Sequence, residues 1–287
     1  MPERPSPPLP SPEEIAVRIA ALPTLPSIAS DLLSLDEMED MDTGLLARRI
    51  AADQALAARA LRVANSPFYG LQGQVVSIQE AIVVLGFRAV RSLVISAAAV
   101  QALATLKPDK HFDPQPFWRH SIGTAVSARH LALLAGRNPE SAFAAGLLHD
   151  IGQLVLAVSF PAHYAAIHQW IQRHASPLLD VERQMIGTTH AEAGALLAER
   201  WGLPAAIREA IALHHQPDDA TADSLADLTH TANVLSHALA LATPPDELVP
   251  ALSDTAWARL NISWANLTPA LDRIAGEFED TLHALIA

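Results

Sequence analysis

Histidine and aspartate residues stand at four widely separated places in this chain of 287 residues. They are His120, the adjacent His149 and Asp150, His190, and the adjacent His214 and His215. Neutral imidazole and carboxylate groups are good ligands for divalent cations such as zinc, manganese or iron. A lone histidine in a helical protein is more often a packed or surface residue. The set therefore predicts a metal centre only if the fold brings its members together.

The remaining histidines are interpreted as ordinary packed or surface residues. They are His111, His130, His163, His168, His174, His230, His237 and His283. The chain has no cysteine, which excludes disulfides, thiol catalysis and thiolate zinc sites. Its formal net charge of −12 argues against nonspecific binding to nucleic acid or to an anionic membrane, because both need a positive patch.

Helix signals dominate the sequence, and no stretch shows convincing strand alternation. Hydrophobic residues make up 50% of the chain and aromatic residues only 5%, and much of the apolar content is alanine and leucine. This composition favours helices over sheets. Capping residues followed by proline or glutamate in the first turn predict helix starts at Ser11, Ser77, Asn138, Ser176 and Thr189. The sequence predicts an all-α protein of a dozen or more helices.

The candidate ligands are placed at specific points of these helices. His120 is predicted about two turns into a helix, and His149 and Asp150 at the C-terminal end of another, with Gly152 as its terminator. Adjacent residues inside a helix point about 100° apart, so this pair reaches one ion only at a helix end. Small residues that would let the helices approach closely are Gly123, Ala144, Ala145 and Gly146.

Composition divides the chain into four predicted segments. They are a flexible proline-rich lead-in at 1–12, an N-terminal helical subdomain at 13–110, a histidine-rich helical subdomain at 111–242 and a C-terminal helical cap at 243–287. The longest uncharged apolar stretch, between Arg91 and Lys107, has fifteen residues. It is shorter than the roughly 20 needed to span a bilayer. No signal-peptide pattern begins the chain, so a cytoplasmic location is expected.

Two further segments are interpreted as structural. Residues 65–70 read NSPFYG and predict a helix end whose Phe68 and Tyr69 pack on the core. Residues 36–42 contain five acidic side chains in seven positions and are interpreted as a solvated connection between helices.

The stretch AGLLHDIG at residues 145–152 resembles the signature of the HD metal-dependent phosphohydrolase superfamily. More narrowly, the chain resembles the HDOD domain, the HD-related output domain of bacterial signalling proteins. The supporting pieces lie at residues 22–26, 53, 64–70, 78–86, 118–121, 149–150, 190–197, 201–204 and 214–217. The resemblance implies an HD-like helical core with an N-terminal helical subdomain packed against it.

Within this resemblance, His120, His149 and Asp150 match the metal ligands of the superfamily. The final ligand, normally an aspartate, is matched by Asn233. A neutral amide oxygen removes one negative charge, which weakens the site for a hard cation. The metal implied is iron, manganese, zinc or magnesium.

A second metal site is implied by similarity to the two-metal HD-GYP phosphodiesterases, whose extra histidines match His190 and His214. The adjacent His215 is included in this second site. Two features of those enzymes are missing. The lysine that usually follows the HDIG stretch is Gln153, and no Gly-Tyr-Pro follows His214 and His215. Losing one preorganised charge-stabilising group costs on the order of 10²–10³ in rate. These departures make efficient turnover doubtful.

The combined expectation is a cytoplasmic signal-transduction protein that acts by binding partner proteins or a small nucleotide-type ligand. No receiver, diguanylate-cyclase or helix-turn-helix segment is found in the sequence, so the partners are expected to act in trans. The alternative is a metal-dependent phosphohydrolase acting on a nucleotide or cyclic dinucleotide. A third option is a metal site that only fixes helix packing. Direct nucleic-acid or membrane binding is not expected.

Overall fold

A computed structural model describes most of the chain. The described residues are 7–34, 43–66, 69, 75–108, 110, 112–174, 176–242 and 249–286. The acidic run at 36–42, His111, and Phe68 of the NSPFYG segment therefore lie outside the described residues. The predictions made for them stay predictions.

Every regular element in the described part of the chain is helical, which confirms the all-α prediction. The α-helices are α1 (Pro12–Ala20), α2 (Ser27–Ser34), α3 (Thr43–Ala52), α4 (Gln54–Ala64), α5 (Ile78–Leu85), α6 (Phe87–Ala104), α7 (Pro114–Leu134), α8 (Pro139–Leu148), α9 (Ile151–Ser159), α10 (Pro161–His174), α11 (Leu178–Met185), α12 (His190–Arg200), α13 (Ala205–Leu213), α14 (Leu225–Ala238), α15 (Asp254–Leu260) and α16 (Trp264–Ile286). A short 3₁₀ helix lies at Pro217–Asp219.

Side-chain caps start the helices largely where the sequence predicts them. The predicted caps whose side-chain oxygens accept first-turn N–H groups are Ser11, Ser77, Asn138 and Thr189. A helix begins just after Ser176, as predicted, but the predicted cap at Ser176 is wrong. Pro177 is itself the N-cap of α11, without a side-chain cap, and the Ser176 hydroxyl accepts a hydrogen bond from Trp170 instead. The hydroxyl that was predicted to cap the helix is therefore hydrogen-bonded to the neighbouring tryptophan.

The predicted role of Gly152 is also wrong. Helix α8 ends at Leu148, His149 and Asp150 form the turn, and Gly152 is the second residue of α9. A Cβ at this position would lie 1.8 Å from the carbonyl oxygen of His190. The glycine is needed because α9 and α12 touch there, a contact between distant parts of the chain that a local pattern does not reveal.

Helix α7 is the central element of the core. It packs against α8, α14 and α16, while α12 packs against α9 and α13. Helix α6 joins this group to the N-terminal helices through its contacts with α4 and α8. All the helices that carry the candidate ligands therefore belong to one packed assembly.

The two ends of the chain pack across the predicted subdomains. Helix α1 contacts α9 and α12, and the described end of the proline-rich segment contacts α10, where His163 donates to the carbonyl of Pro8 over 2.9 Å. Helix α16 contacts both α7 and α4. The predicted boundaries are not tested by these contacts and stay a prediction.

Two segments are apolar and long enough to cross a membrane, by length and composition alone. They are Phe87–Ala104 and Pro139–Ser159, with mean hydropathy of 1.3 and 1.5. The second is two helices, α8 and α9, separated by the turn at His149 and Asp150. Within the fold, 67% and 83% of these segments are buried, as in core helices of a soluble protein.

Candidate metal centre

The separated histidines meet around Asp150, which lies at the turn between α8 and α9 and is 5% exposed. Two groups of ligand atoms share its carboxylate. We term His120, His149 and Asp150 Oδ2 the first half-site. We term His190, His214, His215 and Asp150 Oδ1 the second half-site.

The first half-site joins α7 to the end of α8. The Nε2 atoms of His120 and His149 lie 3.3 Å apart, and Asp150 Oδ2 lies 3.7 Å and 3.4 Å from them, respectively. The Nδ1 atom of His149 donates to the carbonyl of Gly146 over 2.8 Å. This bond fixes the tautomer, so the free Nε2 electron pair of His149 is directed into the group.

The second half-site joins the start of α12 to the end of α13. Asp150 Oδ1 lies 3.3 Å from the Nε2 atoms of both His190 and His214, and His190 Nε2 lies 2.9 Å from His215 Nε2. The Nδ1 atom of His214 donates to the carbonyl of Ile211 over 2.9 Å. As in the first half-site, the backbone holds a ring so that its Nε2 faces the shared carboxylate.

Glycine residues make this convergence possible. A Cβ on Gly146 would lie 2.8 Å from the Cα of Ala125, so α7 and α8 could not approach as they do. A Cβ on Gly123 would lie 2.7 Å from Ser236 Oγ, between α7 and α14. Two of the small residues noted in the sequence, Gly123 and Gly146, thus lie at the helix contacts that bring the histidines together.

The donor atoms fit a divalent cation. Asp150 Oδ1 and His214 Nε2 are buried and have no hydrogen-bond partner of good geometry among the described residues. Buried polar atoms without partners cost free energy. Coordination by a cation would satisfy these atoms, and a set of imidazoles with one carboxylate suits zinc, iron or manganese.

Asn233 and Gln153, at which this chain departs from the superfamily and HD-GYP patterns, also lie at the site. Asn233, on α14, is buried and its amide interacts with His120. Gln153 donates from Nε2 to Asp150 Oδ2 over 2.8 Å and accepts a 3.5 Å hydrogen bond from the Tyr164 hydroxyl. Gln153 therefore holds the shared carboxylate by a neutral amide, where a lysine would bring a positive charge.

Burial keeps most of the pocket's titrating histidines neutral. Burial lowers the pKa of His120 to about 4, opposed by the charge of Asp150. The same cause lowers the pKa of His149 well below its ordinary value, and it also lowers the pKa of His215. These rings are therefore neutral near pH 7, as metal coordination requires.

His190 has the opposite environment. Burial alone would lower its pKa, but the carboxylates of Glu182 and Asp150 raise the pKa of His190 to about 10. Burial alone would likewise raise the pKa of Asp150, yet the surrounding imidazoles, His149 first among them, hold it well below its usual range. Two buried carboxylates on either side of one imidazole make this part of the pocket attractive to a positive charge.

Three residues at the site were not identified from the sequence. The ring of His237 lies 4.6 Å from that of His120, and His230 donates to the carbonyl of His214 over 2.8 Å. Glu182 accepts a 2.8 Å hydrogen bond from His190 Nδ1. The four-residue spacing from Asn233 to His237 places both on one helix face and was a usable signal. No sequence signal marks Glu182, because its burial depends on distant helices.

Comparisons with known proteins agree with this fold. The family model of the HDOD domain matches residues 22–217. A "putative phosphohydrolase" from Shewanella amazonensis SB2B is similar in structure, with a TM-score of 0.77 and 29% identity over 95% of this chain and 98% of that one. A "putative signal transduction protein" from Marinobacter aquaeolei VT8 has a TM-score of 0.71 and 25% identity over 94% of this chain and 64% of that one.

A longer protein is similar in sequence. An uncharacterized protein of Treponema pallidum (strain Nichols) is 27% identical over 252 residues, which are 86% of this chain and 43% of that protein. This chain therefore spans less than half the length of that relative.

Proposed function

Because the chain belongs to the HDOD family, we propose that it is a signal-transduction domain whose pocket holds divalent metal ions and recognises a small nucleotide-type ligand without efficient turnover. One observation carries this proposal. The pocket retains the imidazoles and carboxylate of a metal centre, while the shared carboxylate is held by the neutral amide of Gln153.

The ligand residues would hold the metal through Nε2 atoms and the two oxygens of Asp150. A bound divalent ion supplies Lewis acidity, which attracts a phosphate oxygen. The chain's own residues orient this centre: backbone carbonyls hold the rings of His149 and His214, and Gln153 holds the carboxylate. Asn233 leaves the first half-site with one anionic ligand fewer than the superfamily pattern, so this half-site holds a hard cation less tightly.

The proposed lack of turnover follows from charge. Hydrolysis of a phosphodiester needs positive groups placed where negative charge develops. Gln153 stands at the position of the cationic residue in the resembling enzymes, and it donates its amide to Asp150. We accordingly expect binding of a phosphorylated ligand to exceed its conversion. The proposed setting is the cytoplasm, where the domain acts on protein partners.

A metal-dependent phosphohydrolase is the second candidate. It is favoured by the complete set of imidazoles around Asp150 and by the 29% identity to the Shewanella protein described as a "putative phosphohydrolase". Its substrate would be a nucleotide or cyclic-dinucleotide phosphodiester.

Elemental analysis and hydrolysis assays on one purified sample separate these candidates. Bound metal is measured first, and then hydrolysis of generic and cyclic-dinucleotide phosphodiesters with manganese or iron(II) added. We expect bound metal, ligand binding that a chelator removes, and no turnover. Metal-dependent turnover that Asp150→Ala abolishes and the exposed control Asp219→Ala retains would establish the phosphohydrolase instead. Bound metal without any ligand binding would leave a site that fixes helix packing.

A further inference from the structure

Glu182 holds one of the candidate ligands by both its side chain and its backbone. It lies on α11 and is 0% exposed. Its Oε2 atom accepts hydrogen bonds from His190 Nδ1 and from the His190 backbone N–H, each over 2.8 Å. Since His190 is the first residue of α12, one carboxylate oxygen fixes both the start of this helix and the orientation of the imidazole.

The direction of the ring bond decides which nitrogen can bind a metal. A carboxylate only accepts, so His190 carries a hydrogen on Nδ1, and Nε2, which faces Asp150 and His215, is the nitrogen that gives up its proton when a metal binds. A carboxylate behind a ligating imidazole also makes it a stronger electron donor. The rings of His149 and His214 are backed by neutral backbone carbonyls. Among the described ligands whose Nδ1 partner is known, His190 is the one with a charged partner.

The charge of Glu182 also needs compensation. Its ion pair in the described part of the chain is with His190, and Asp150 places a second buried carboxylate on the other side of this ring. One imidazolium offsets only one of these two buried charges, and burying an uncompensated carboxylate is costly. A divalent ion at the second half-site would bring positive charge between Asp150 and the imidazole that Glu182 supports.

We infer that Glu182 is a positioning residue that makes the second half-site the tighter of the two metal sites. Three imidazoles and one carboxylate oxygen favour cations such as zinc or iron(II) over magnesium, which prefers oxygen ligands. This inference rests on the proposed function, because it requires that the pocket binds metal.

The test is Glu182→Gln in the full chain, with Glu192→Gln as the matched control. The glutamine keeps the shape and one acceptor but removes the charge. Glu192 also accepts a hydrogen bond at the start of α12, from the backbone N–H of Thr189, but it does not contact an imidazole. Metal-free protein is titrated with zinc against a chelator and with cobalt(II), whose visible absorption reports its ligands.

We expect Glu182→Gln to weaken the tighter zinc site about 10–100-fold and to change the cobalt absorption. The weaker site and the melting temperature of the metal-free protein should stay close to the wild type, which a purely structural role would not predict. The control should keep both sites. Unchanged affinities and spectrum in Glu182→Gln, with metal bound by the wild type, would overturn this inference alone, as would an equal loss in the control. A wild-type protein that binds no metal would overturn the proposed function as well.

Discussion

The two half-sites share one carboxylate but differ in what supports their ligands. In the first, His120 has a side chain 13% exposed, and the fourth neighbour is the neutral amide of Asn233. In the second, His190 is backed by the fully buried Glu182. The difference teaches that one pocket can support its ligands unequally, with a buried charge behind one half-site and a neutral amide beside the other.

The largest effect is expected from the residue that the half-sites share. Asp150→Asn keeps the shape but removes the charge that faces both sets of imidazoles. We expect metal affinity at both half-sites to fall by more than the roughly 10–100-fold that loss of an outer partner costs. Elemental analysis after dialysis measures this, with Asp219→Asn as the exposed control. A variant that keeps one ion at full affinity would show that the half-sites are independent.

The next largest effect is expected from glycine substitutions, which should weaken metal binding at the two half-sites to different extents. Gly152→Ala places a Cβ against the His190 carbonyl, and Gly146→Ala places one against Ala125. Each should lower the free energy of unfolding by about 1–3 kcal/mol or more, as overpacking does. Gly152→Ala should weaken metal binding mainly at the second half-site, and Gly146→Ala mainly at the first half-site.

Urea denaturation and metal titration of both variants check this prediction. The matched control is Gly276→Ala on α16, where a Cβ would meet nothing within 4 Å. Alanine there should stabilise the helix by roughly 0.5–1 kcal/mol. Stability of Gly152→Ala equal to that of the control would mean that α9 and α12 are not held in this contact.

A smaller and opposite effect is expected from Asn233→Asp. A carboxylate at this buried position beside His120 adds a negative charge to the first half-site. We expect that half-site to bind manganese about tenfold more tightly, because charge count sets affinity for hard cations. Competition titration measures both sites in one sample, so the second half-site is the internal control. Tightening confined to the second half-site would contradict the assignment.

The smallest effect on the metal is expected from His230→Ala. His230 joins the carbonyl of His214 to the backbone N–H of Ser253 by hydrogen bonds of 2.8 Å and 3.0 Å. Its loss leaves buried backbone groups unpaired and should cost about 1–3 kcal/mol of unfolding free energy, with the metal content retained. Thermal melts and elemental analysis test this against His283→Ala on the exposed side of α16. Loss of metal without loss of stability would place His230 among the ligands.

The fold was predictable because its signals are local. A capping oxygen at Asn138 or Thr189 bonds N–H groups two or three residues away, so neighbouring sequence is enough to place these helix starts. Ser176 and Gly152 were misread because contacts with neighbouring helices override the local signal. The Ser176 hydroxyl accepts a hydrogen bond from the ring nitrogen of Trp170 on α10, and Gly152 packs against α12, which begins 38 residues later at His190.

By itself, the sequence determined the helical class, most helix starts and the types and order of the residues available as ligands. These follow from composition, capping chemistry and motif. Only the tertiary structure decided that the imidazoles converge on Asp150, that His190 faces it with Nε2, and that Glu182 is buried behind the ring. Distances between distant helices, and the loss of water around a charge, arise only when the helices pack.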